Sequence, residues 1–406
     1  MEKDKKLGFA RNIWLMGVVS FLNDLSSEIV FPLVPIFLVS VLGAPATILG
    51  LIEGLADAAA NILMALSGFV SDKYQRRKPF IIAGYGLSTL SKLILASAFS
   101  WPTVLFARVI NRLGKGARTT ARDALIIESV DKSERGRAFG LHRMMDTFGA
   151  IAGPSLSIAL LAALNFNYRL VFFWAFIPSA AAMVLLFFLK EHNKVAERRL
   201  AMRFQWQKTN MSYRLFLLVS FVFTIGSSSS AFLVLRAQNL GLSVGATISA
   251  YILLNTTNAL LSLPAGILAD RLGAKRVIFL GYILFAYIYM MLGLTNQASL
   301  IWILFPAYGV YLALTEGVSK AYISRLVPHE ISASAFGVYQ IATGLATFIA
   351  SFVAGILWNT FSPQAPFIFG SILGITSSVL FFVLSRKIRI HPESLATTPH
   401  HSLNGK

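Results

Sequence analysis

The sequence predicts an all-α integral membrane protein, with twelve transmembrane helices arranged as two parallel six-helix repeats. Three observations carry that expectation. The 406-residue chain is 56% hydrophobic and only 13% charged, with a mean hydropathy of +0.67, whereas a soluble domain is charged at about a quarter of its positions. About twelve of its windows reach the roughly 20 apolar residues that span a bilayer core. Finally, the chain repeats itself at a spacing close to half its length.

Taken in order, the windows run over 12–41, 46–70, 79–99, 102–121, 137–163, 168–189, 213–236, 245–269, 276–295, 299–324, 332–358 and 364–385. The first is too long for a removable signal peptide, and it holds two acids, Asp24 and Glu28, and two prolines, Pro32 and Pro35. It also lacks a small-residue cleavage site after a short apolar core, so it reads as a permanent span. Zero cysteines exclude disulfides and thiolate metal sites.

Charge placement supplies the topology. The net charge of +18 would suggest nucleic acid in a soluble protein, but here Lys and Arg crowd alternate loops. These are Lys3, Lys5, Lys6 and Arg11; Lys73, Arg76, Arg77 and Lys78; Arg122, Lys132, Arg135 and Arg137; Lys190 to Arg214; Arg271, Lys275 and Arg276; and Arg386, Lys387 and Arg389. The intervening loops hold little beyond Arg169 and Arg236. This is the positive-inside pattern, which places the chain in the cytoplasmic (inner) membrane with both termini cytoplasmic and gives no reason to expect nucleic acid as a partner.

The repeat is carried by two landmarks. "GFVSDKYQRRKPF" begins at Gly68 and "GILADRLGAKRVI" at Gly266, 198 residues apart, while "RAFG" ends at Gly140 and "SAFG" at Gly337, 197 apart. An even span number with loops on matching sides makes the halves parallel repeats about an axis normal to the membrane. The expected organisation is an N-terminal bundle at 1–189, a polar linker at 190–212, a C-terminal bundle at 213–385 and a tail at 386–406.

Gly68, Asp72, Lys73 and Arg76, and again Gly266, Asp270, Arg271, Gly273 and Lys275, resemble the G-x-L-a-D-R-x-G-R-K signature of the major facilitator superfamily, placed after spans 2 and 8. The first copy departs from it at Tyr74-Gln75. The resemblance implies two six-helix bundles rocking about a midplane site, with these residues latching helix ends during the switch. "GAIAGP", Gly149 to Pro154, resembles the G-x-x-x-G-P of span 5 in the superfamily's exporters, and Pro32 to Pro35 its P-x-x-P. Physically, Gly149 and Gly153 allow close helix packing and Pro154 removes a backbone hydrogen bond; a packing kink without directional meaning is the other reading. "NRLGKGARTTARDAL" and "RGRAFGLHRMMDT" resemble bacterial permeases of the same superfamily, among which proton-coupled drug and metabolite transporters are the expected kin.

The charges within the spans point to coupling. At about 1.5 Å per residue, Asp24 lies near the midplane and Glu28 one turn beyond it on the same face. Glu53 and Asp57 sit four apart in span 2, Lys92 in span 3, Arg108, Arg112 and Lys115 along one face of span 4, and His142, Arg143 and Asp146 in span 5. Five deep acids against five deep bases suggest a network that compensates its own burial. The second half offers only Arg236, Glu316 and Lys320. Asp24 and Glu28, then Asp146, are the first candidates to carry protons, with Glu53 and Asp57 behind them; Arg108, Arg112, Lys115, Arg143 and Lys92 are candidates to hold an anionic cargo. Tyr251, Tyr287, Tyr308, Tyr311, Tyr339 and Trp302 could line the cavity or anchor the interface.

The expected function is secondary active transport of a small organic solute, proton-coupled, with export or antiport favoured. Transport of an anionic metabolite such as a polycarboxylate or siderophore is the alternative. "RLGKGARTT" lacks the G-x-x-x-x-G-K-[ST] of a phosphate loop and follows no strand, so no nucleotide is expected, nor any other cofactor or metal. A membrane enzyme acting on lipid through His142 and Asp146 is a remote alternative, as is a substrate-insensitive sensor. The protein is expected to act as a monomer, with solute, protons and the bilayer as its partners.

Overall fold

The computed structural model describes residues 5–6, 9–74, 77–130, 134–189, 209–328 and 331–385. Apart from a two-residue antiparallel pairing of Lys5–Lys6 with Phe9–Ala10, its regular structure is helical. The first half contains α1 (Arg11–Val30), α2 (Leu33–Ile36), α3 (Ala46–Tyr74), α4 (Lys78–Ala96), α5 (Trp101–Glu128), α6 (Arg135–Ala163) and α7 (Tyr168–Phe187). The second contains α8 (Met211–Gly226), α9 (Ala231–Asn239), α10 (Val244–Leu272), α11 (Ala274–Leu294), α12 (Ile301–Leu326), α13 (Ser332–Thr360) and α14 (Ala365–Ser385). α8 thus takes in Met211 and Ser212, which the sequence had assigned to the linker.

Eleven stretches among the described residues are long and apolar enough to cross a membrane. The twelfth span is α5, which fails that criterion because it carries Arg108, Arg112, Lys115, Arg118, Arg122 and Asp123, yet packs lengthwise between α3 and α4. Its 28 residues reach about 42 Å at 1.5 Å each, long enough to cross. Its bounds also correct the sequence expectation, which ended this span at 121 and put Arg122 in a basic loop.

Two spans are discontinuous. α1 stops at Val30, just before Pro32, whose missing N–H removes a helical hydrogen bond; α2 and a π turn at Phe37–Val41 complete that crossing. Four consecutive serines, Ser227 to Ser230, separate α8 from α9. Serine hydroxyls compete for backbone partners and so disfavour helix interiors. Sharp starts come from side-chain caps: Asn167, Asn210 and Ser243 accept from the N–H of Leu170, Tyr213 and Ala246. Gly273, at φ +90°, makes the turn from α10 to α11 that a β-carbon would strain.

Packing follows the two halves. α1 lies on α6 and α7, α3 and α4 on α5, and α4 on α7; in the second half α10 packs on α12, α11 on α12 and α14, and α8 on α13 and α14. Between the halves, α3 meets α13, α6 meets α10 and α2 meets α9. Glycine sets the tightest of these approaches. A β-carbon at Gly50 or Gly54 would meet the backbone of Ser351 or Phe348 on α13, and one at Gly355 the backbone of Ala46 and Thr47 on α3. Outward-facing Leu260, Leu263, Phe106 and Phe382 are each at least 60% exposed, as expected for a surface whose solvent is lipid.

The glycines of α6 pack against the acid-bearing face of α1. A β-carbon at Gly149 would lie 3.0 Å from Asp24 Cβ, and one at Gly153 would lie 2.6 Å from Glu28 Cβ and 2.8 Å from the Leu25 carbonyl. Backbone on one side leaves no room to relax, so Gly153→Val is expected to destabilise the purified protein by about 1–3 kcal/mol through overpacking, read as a lower Tm in detergent. Gly317→Ala, where a new β-carbon meets nothing within 4 Å, is expected to leave Tm unchanged.

Candidate functional site

A cavity of about 990 Å³ lies between the two halves. Its walls come from α1, α3, α5 and α6 on one side and from α8, the serine break, α10, α11, α12 and α13 on the other. The lining runs from the helix midpoints toward the ends that carry the basic turns, as Arg122 and Asp123 near the end of α5 and Glu316 and Lys320 near the end of α12 show. At the opposite ends the halves close on one another. Thr47 donates to the Gly355 carbonyl (3.2 Å), Asn359 accepts from the Ala46 N–H (3.2 Å) and donates to Thr47 (2.9 Å). Phe31 stacks on Tyr251 at 5.6 Å.

The first-half wall is charged. Arg112 Nε stands 3.0 Å from Asp57 Oδ1 without hydrogen-bond alignment, and Arg122 holds Asp123 at 3.0 Å while Nη1 reaches Ser20 Oγ at 3.4 Å. His142 Nδ1 and Asp146 Oδ2 are 3.4 Å apart. Asp24 accepts from Asn23 at 3.2 Å. Arg118 lies over the Tyr85 ring at 4.4 Å and donates to Ser88 Oγ, while Lys115 is exposed to the cavity. Among the described residues neither Lys115 nor Arg118 has an acid within 4.0 Å.

The second-half wall is uncharged except for Glu316 and Lys320, and is made of tyrosine, hydroxyl and amide groups: Tyr282, Tyr308, Tyr311, Tyr339, Ser227 to Ser230, Asn255 and Asn258. Phe223 and Tyr282 stack at 3.8 Å with rings 9° from parallel. Non-helical backbone at this depth is tolerable where it borders water rather than lipid, which is where the serine break sits. The Ser229 N–H is satisfied by Ser351 Oγ at 3.1 Å, and Ser228 Oγ lies 3.3 Å from Tyr289 OH.

The structure distributes the sequence candidates unevenly. Asp24, Asp57, Asp146, Arg112, Lys115 and Arg143 line the cavity. Glu53 and Arg108 do not: they form a buried two-point ion pair, Nε to Oε1 at 2.8 Å and Nη2 to Oε2 at 2.6 Å, each residue at most 3% exposed. Lys92 is also buried away from the cavity, donating to Ser27 Oγ at 3.2 Å and Asn111 Oδ1 at 3.4 Å. The five-against-five balance therefore resolves into two formed pairs, Arg108 with Glu53 and Arg112 with Asp57. Glu28 lies outside the cavity lining, at the closed end, where it accepts from Tyr251 OH of α10 at 3.2 Å. Arg236 serves the end of α11, donating to the Leu292 and Thr295 carbonyls at 3.1 and 2.7 Å. Tyr287 and Trp302 face outward.

Of the latch candidates, Asp270 pairs with Arg325 of α12 at 2.9 Å at the exposed ends of the helices. Gly266 and Arg271 fall in α10, Gly273 in the turn and Lys275 in α11. Gly68, Asp72 and Lys73 fall in α3 with their side chains outside the described set, and Arg76 lies outside the described residues. Sequence reasoning missed Arg118 and the cavity role of Arg122, although steps of three and four from Lys115 extend the same helical stripe to both.

Two helical halves around a cavity open at one end and sealed at the other define a multi-pass membrane transporter. The chain belongs to the major facilitator superfamily, whose family model matches residues 16–255 and 215–403. It is 37% identical over 390 residues to an uncharacterized MFS-type transporter of Methanocaldococcus jannaschii, covering 94% of this chain and 96% of that one. It is 24% identical over 392 residues to the multi-drug resistance efflux pump PmrA of Streptococcus pneumoniae, covering 93% and 96%. The crystal structure of the nucleoside transporter NupG superposes with a TM-score of 0.78 at 14% identity, covering 92% of this chain and 99% of that one, a likeness of fold.

Removing one member of a buried ion pair strands the other and costs about 3–5 kcal/mol, more than replacing both. Arg108→Met is therefore expected to lower Tm strongly in detergent, and Arg108→Met combined with Glu53→Gln to recover part of that loss. A double variant no more stable than the single one would contradict the pairing.

Proposed function

We propose that this protein is a proton-coupled secondary transporter that moves a small organic solute across the cytoplasmic membrane by alternating access, with export as the first reading. One observation carries it: the cavity places Asp24 and Asp146 in a wall open on one side, while Glu28, one turn from Asp24, is engaged at the seal on the other. Carboxylates that meet the two sides in turn can take up protons on one and release them on the other. Export rests on the likeness to a relative named as an efflux pump and on the Gly149 to Pro154 segment.

In this reading both termini and the basic turns face the cytoplasm, so the cavity is inward-open. The parts are an N-terminal bundle at 1–189, a linker at 190–212, a C-terminal bundle at 213–385 and a tail at 386–406. Asp270 with Arg325 latches the cytoplasmic ends of α10 and α12 to each other and so influences the switch, and its counterpart at Asp72 acts likewise in the first half. The transporter works as a monomer without a cofactor. A lipid-modifying role for His142 and Asp146 finds less support, since both open onto a charged cavity rather than the lipid-facing surface.

A second reading, transport of an anionic metabolite such as a polycarboxylate or siderophore, is favoured by Lys115 and Arg118, which face the cavity with no acid at ion-pair distance among the described residues.

The test is a pH-sensitive dye trapped in proteoliposomes while cationic, neutral and polycarboxylate solutes are added outside. A solute-triggered pH change is expected in the wild type and is expected to be lost in Asp24→Asn and in Glu28→Gln, with both variants still inserted and monodisperse. Full pH responses in both variants would remove these acids from the coupling role, and no solute-linked proton movement in the wild type would remove proton coupling itself.

A further inference from the structure

We propose that the cargo is a hydrophilic organic acid rich in hydroxyl groups. Its carboxylate is held by Lys115 and Arg118 of α5, and its hydroxyls by Ser227, Ser230, Asn255 and Asn258 of the opposite half. The inference rests on the cavity being the transport path. It goes further than that reading by excluding the lipophilic cations that a drug-efflux relative would suggest.

The lining favours a hydrophilic cargo over an oily one. Binding sites for drug-like molecules are predominantly apolar and aromatic, with a few placed polar groups. Here about four-fifths of the residues around the cavity carry a polar or charged group, four of them tyrosines, and the apolar ones, such as Met64, Phe139 and Leu312, are scattered over different helices. A lipophilic solute would strip water from these groups and give nothing in exchange. A solute bearing its own hydroxyls replaces that water bond for bond.

The sign of the charge follows from which cations are already satisfied. Arg112 has Asp57 and Arg122 has Asp123, while Glu316 and Lys320, four apart on α12, offset each other within the opposite wall. Among the described residues Lys115, Arg118 and Arg143 are left, the first two three residues apart and so on one face of α5. Asp24 and Asp146, which line the same cavity, are beyond ion-pair distance of Lys115 and Arg118. Three cations, Lys115, Arg118 and Arg143, against two carboxylates, Asp24 and Asp146, leave room for one more negative group. A carboxylate suits it, because its two oxygens can accept from the Lys115 ammonium and the Arg118 guanidinium at once. Arg118 is also fixed in place by Tyr85 and Ser88, so it is presented in one orientation.

The opposite wall supplies the complementary chemistry for a hydroxylated body. Asn255 and Asn258 lie three apart on α10, each with a donor and an acceptor, and the serine break adds hydroxyls. A sugar-acid skeleton can present its carboxylate to α5 and its hydroxyls to this wall.

The experiment uses the full-length purified protein and follows thermal unfolding and calorimetric binding with gluconate, quinate, sorbitol and tetraphenylphosphonium as probes. Gluconate or quinate is expected to bind saturably, sorbitol at least tenfold more weakly than the better acid, and tetraphenylphosphonium not at all. Lys115→Gln is expected to weaken the acid at least tenfold while leaving sorbitol unchanged, and Lys115→Arg to retain most of the affinity. Asn258→Leu is expected to weaken acid and sorbitol alike. Binding of tetraphenylphosphonium alone, acid affinity unaltered in Lys115→Gln, or no binding by either acid would each overturn the proposal. Solute-linked proton movement seen with tetraphenylphosphonium but not the acids would sink this inference and leave the transport reading standing. No solute-linked movement with any probe would sink both.

Discussion

Hydrocarbon tolerates a charge only when another group or water answers it, and α5 is the helix where that constraint is felt most. It carries five cations along a span that the bilayer would otherwise reject. Each is answered differently: Arg108 by Glu53 in a sealed two-point pair, Arg112 and Arg122 by neighbouring acids at the cavity edge, Arg118 by an aromatic face and a hydroxyl, Lys115 by the open cavity. The packing of α3 and α4 around α5 depends on this arrangement, because both helices supply partners to it.

Burial depth then separates structural charge from working charge. Arg108, Glu53 and Lys92 are enclosed among helices of one half, where moving them would expose ions to a medium that cannot solvate them. Asp24, Asp146, Lys115 and Arg118 border the cavity, where water can compensate a change of partner or protonation. The second half carries the opposite specialisation, with hydroxyls, amides and tyrosine rings facing the same space. One half is suited to hold charge and the other to shape the remainder of the solute.

The fold was largely legible in the sequence because the bilayer imposes long apolar windows and the duplicated Gly-x-x-x-Asp landmarks give the symmetry. What hydropathy could not give was partnership. Spacing puts Arg108, Arg112 and Lys115 on one face, but whether a face looks into the cavity or into α3 depends on helix rotation, which is decided by glycine contacts such as Gly116 against Ala60 and Gly114 against Gly84. For the same reason Lys92 and Arg108 read as cargo ligands in the sequence and sit elsewhere in the fold. The contact of Glu28 with Tyr251 joins residues 223 positions apart across the two halves, and no local pattern encodes it. The serine break was visible as a run of four hydroxylated residues after Gly226, inside a window read only for its apolarity. Arg118 and Arg122 continue, at the same spacing of three and four, the stripe of Arg108, Arg112 and Lys115, so the signal for both was local.

The seam between α3 and α13 is lined by glycine and small polar residues. Gly50, Gly54 and Gly355 bring backbone against backbone, and the side chains that cross, such as Asn61 over Gly344 and Ser351 beside Gly54, are small and polar. The polar ties found there, around Thr47 and Asn359, are hydrogen bonds that arriving water can replace. Such a joint is shut by short polar ties and close backbone contact, and opening it exposes groups that water can satisfy instead of oily surface.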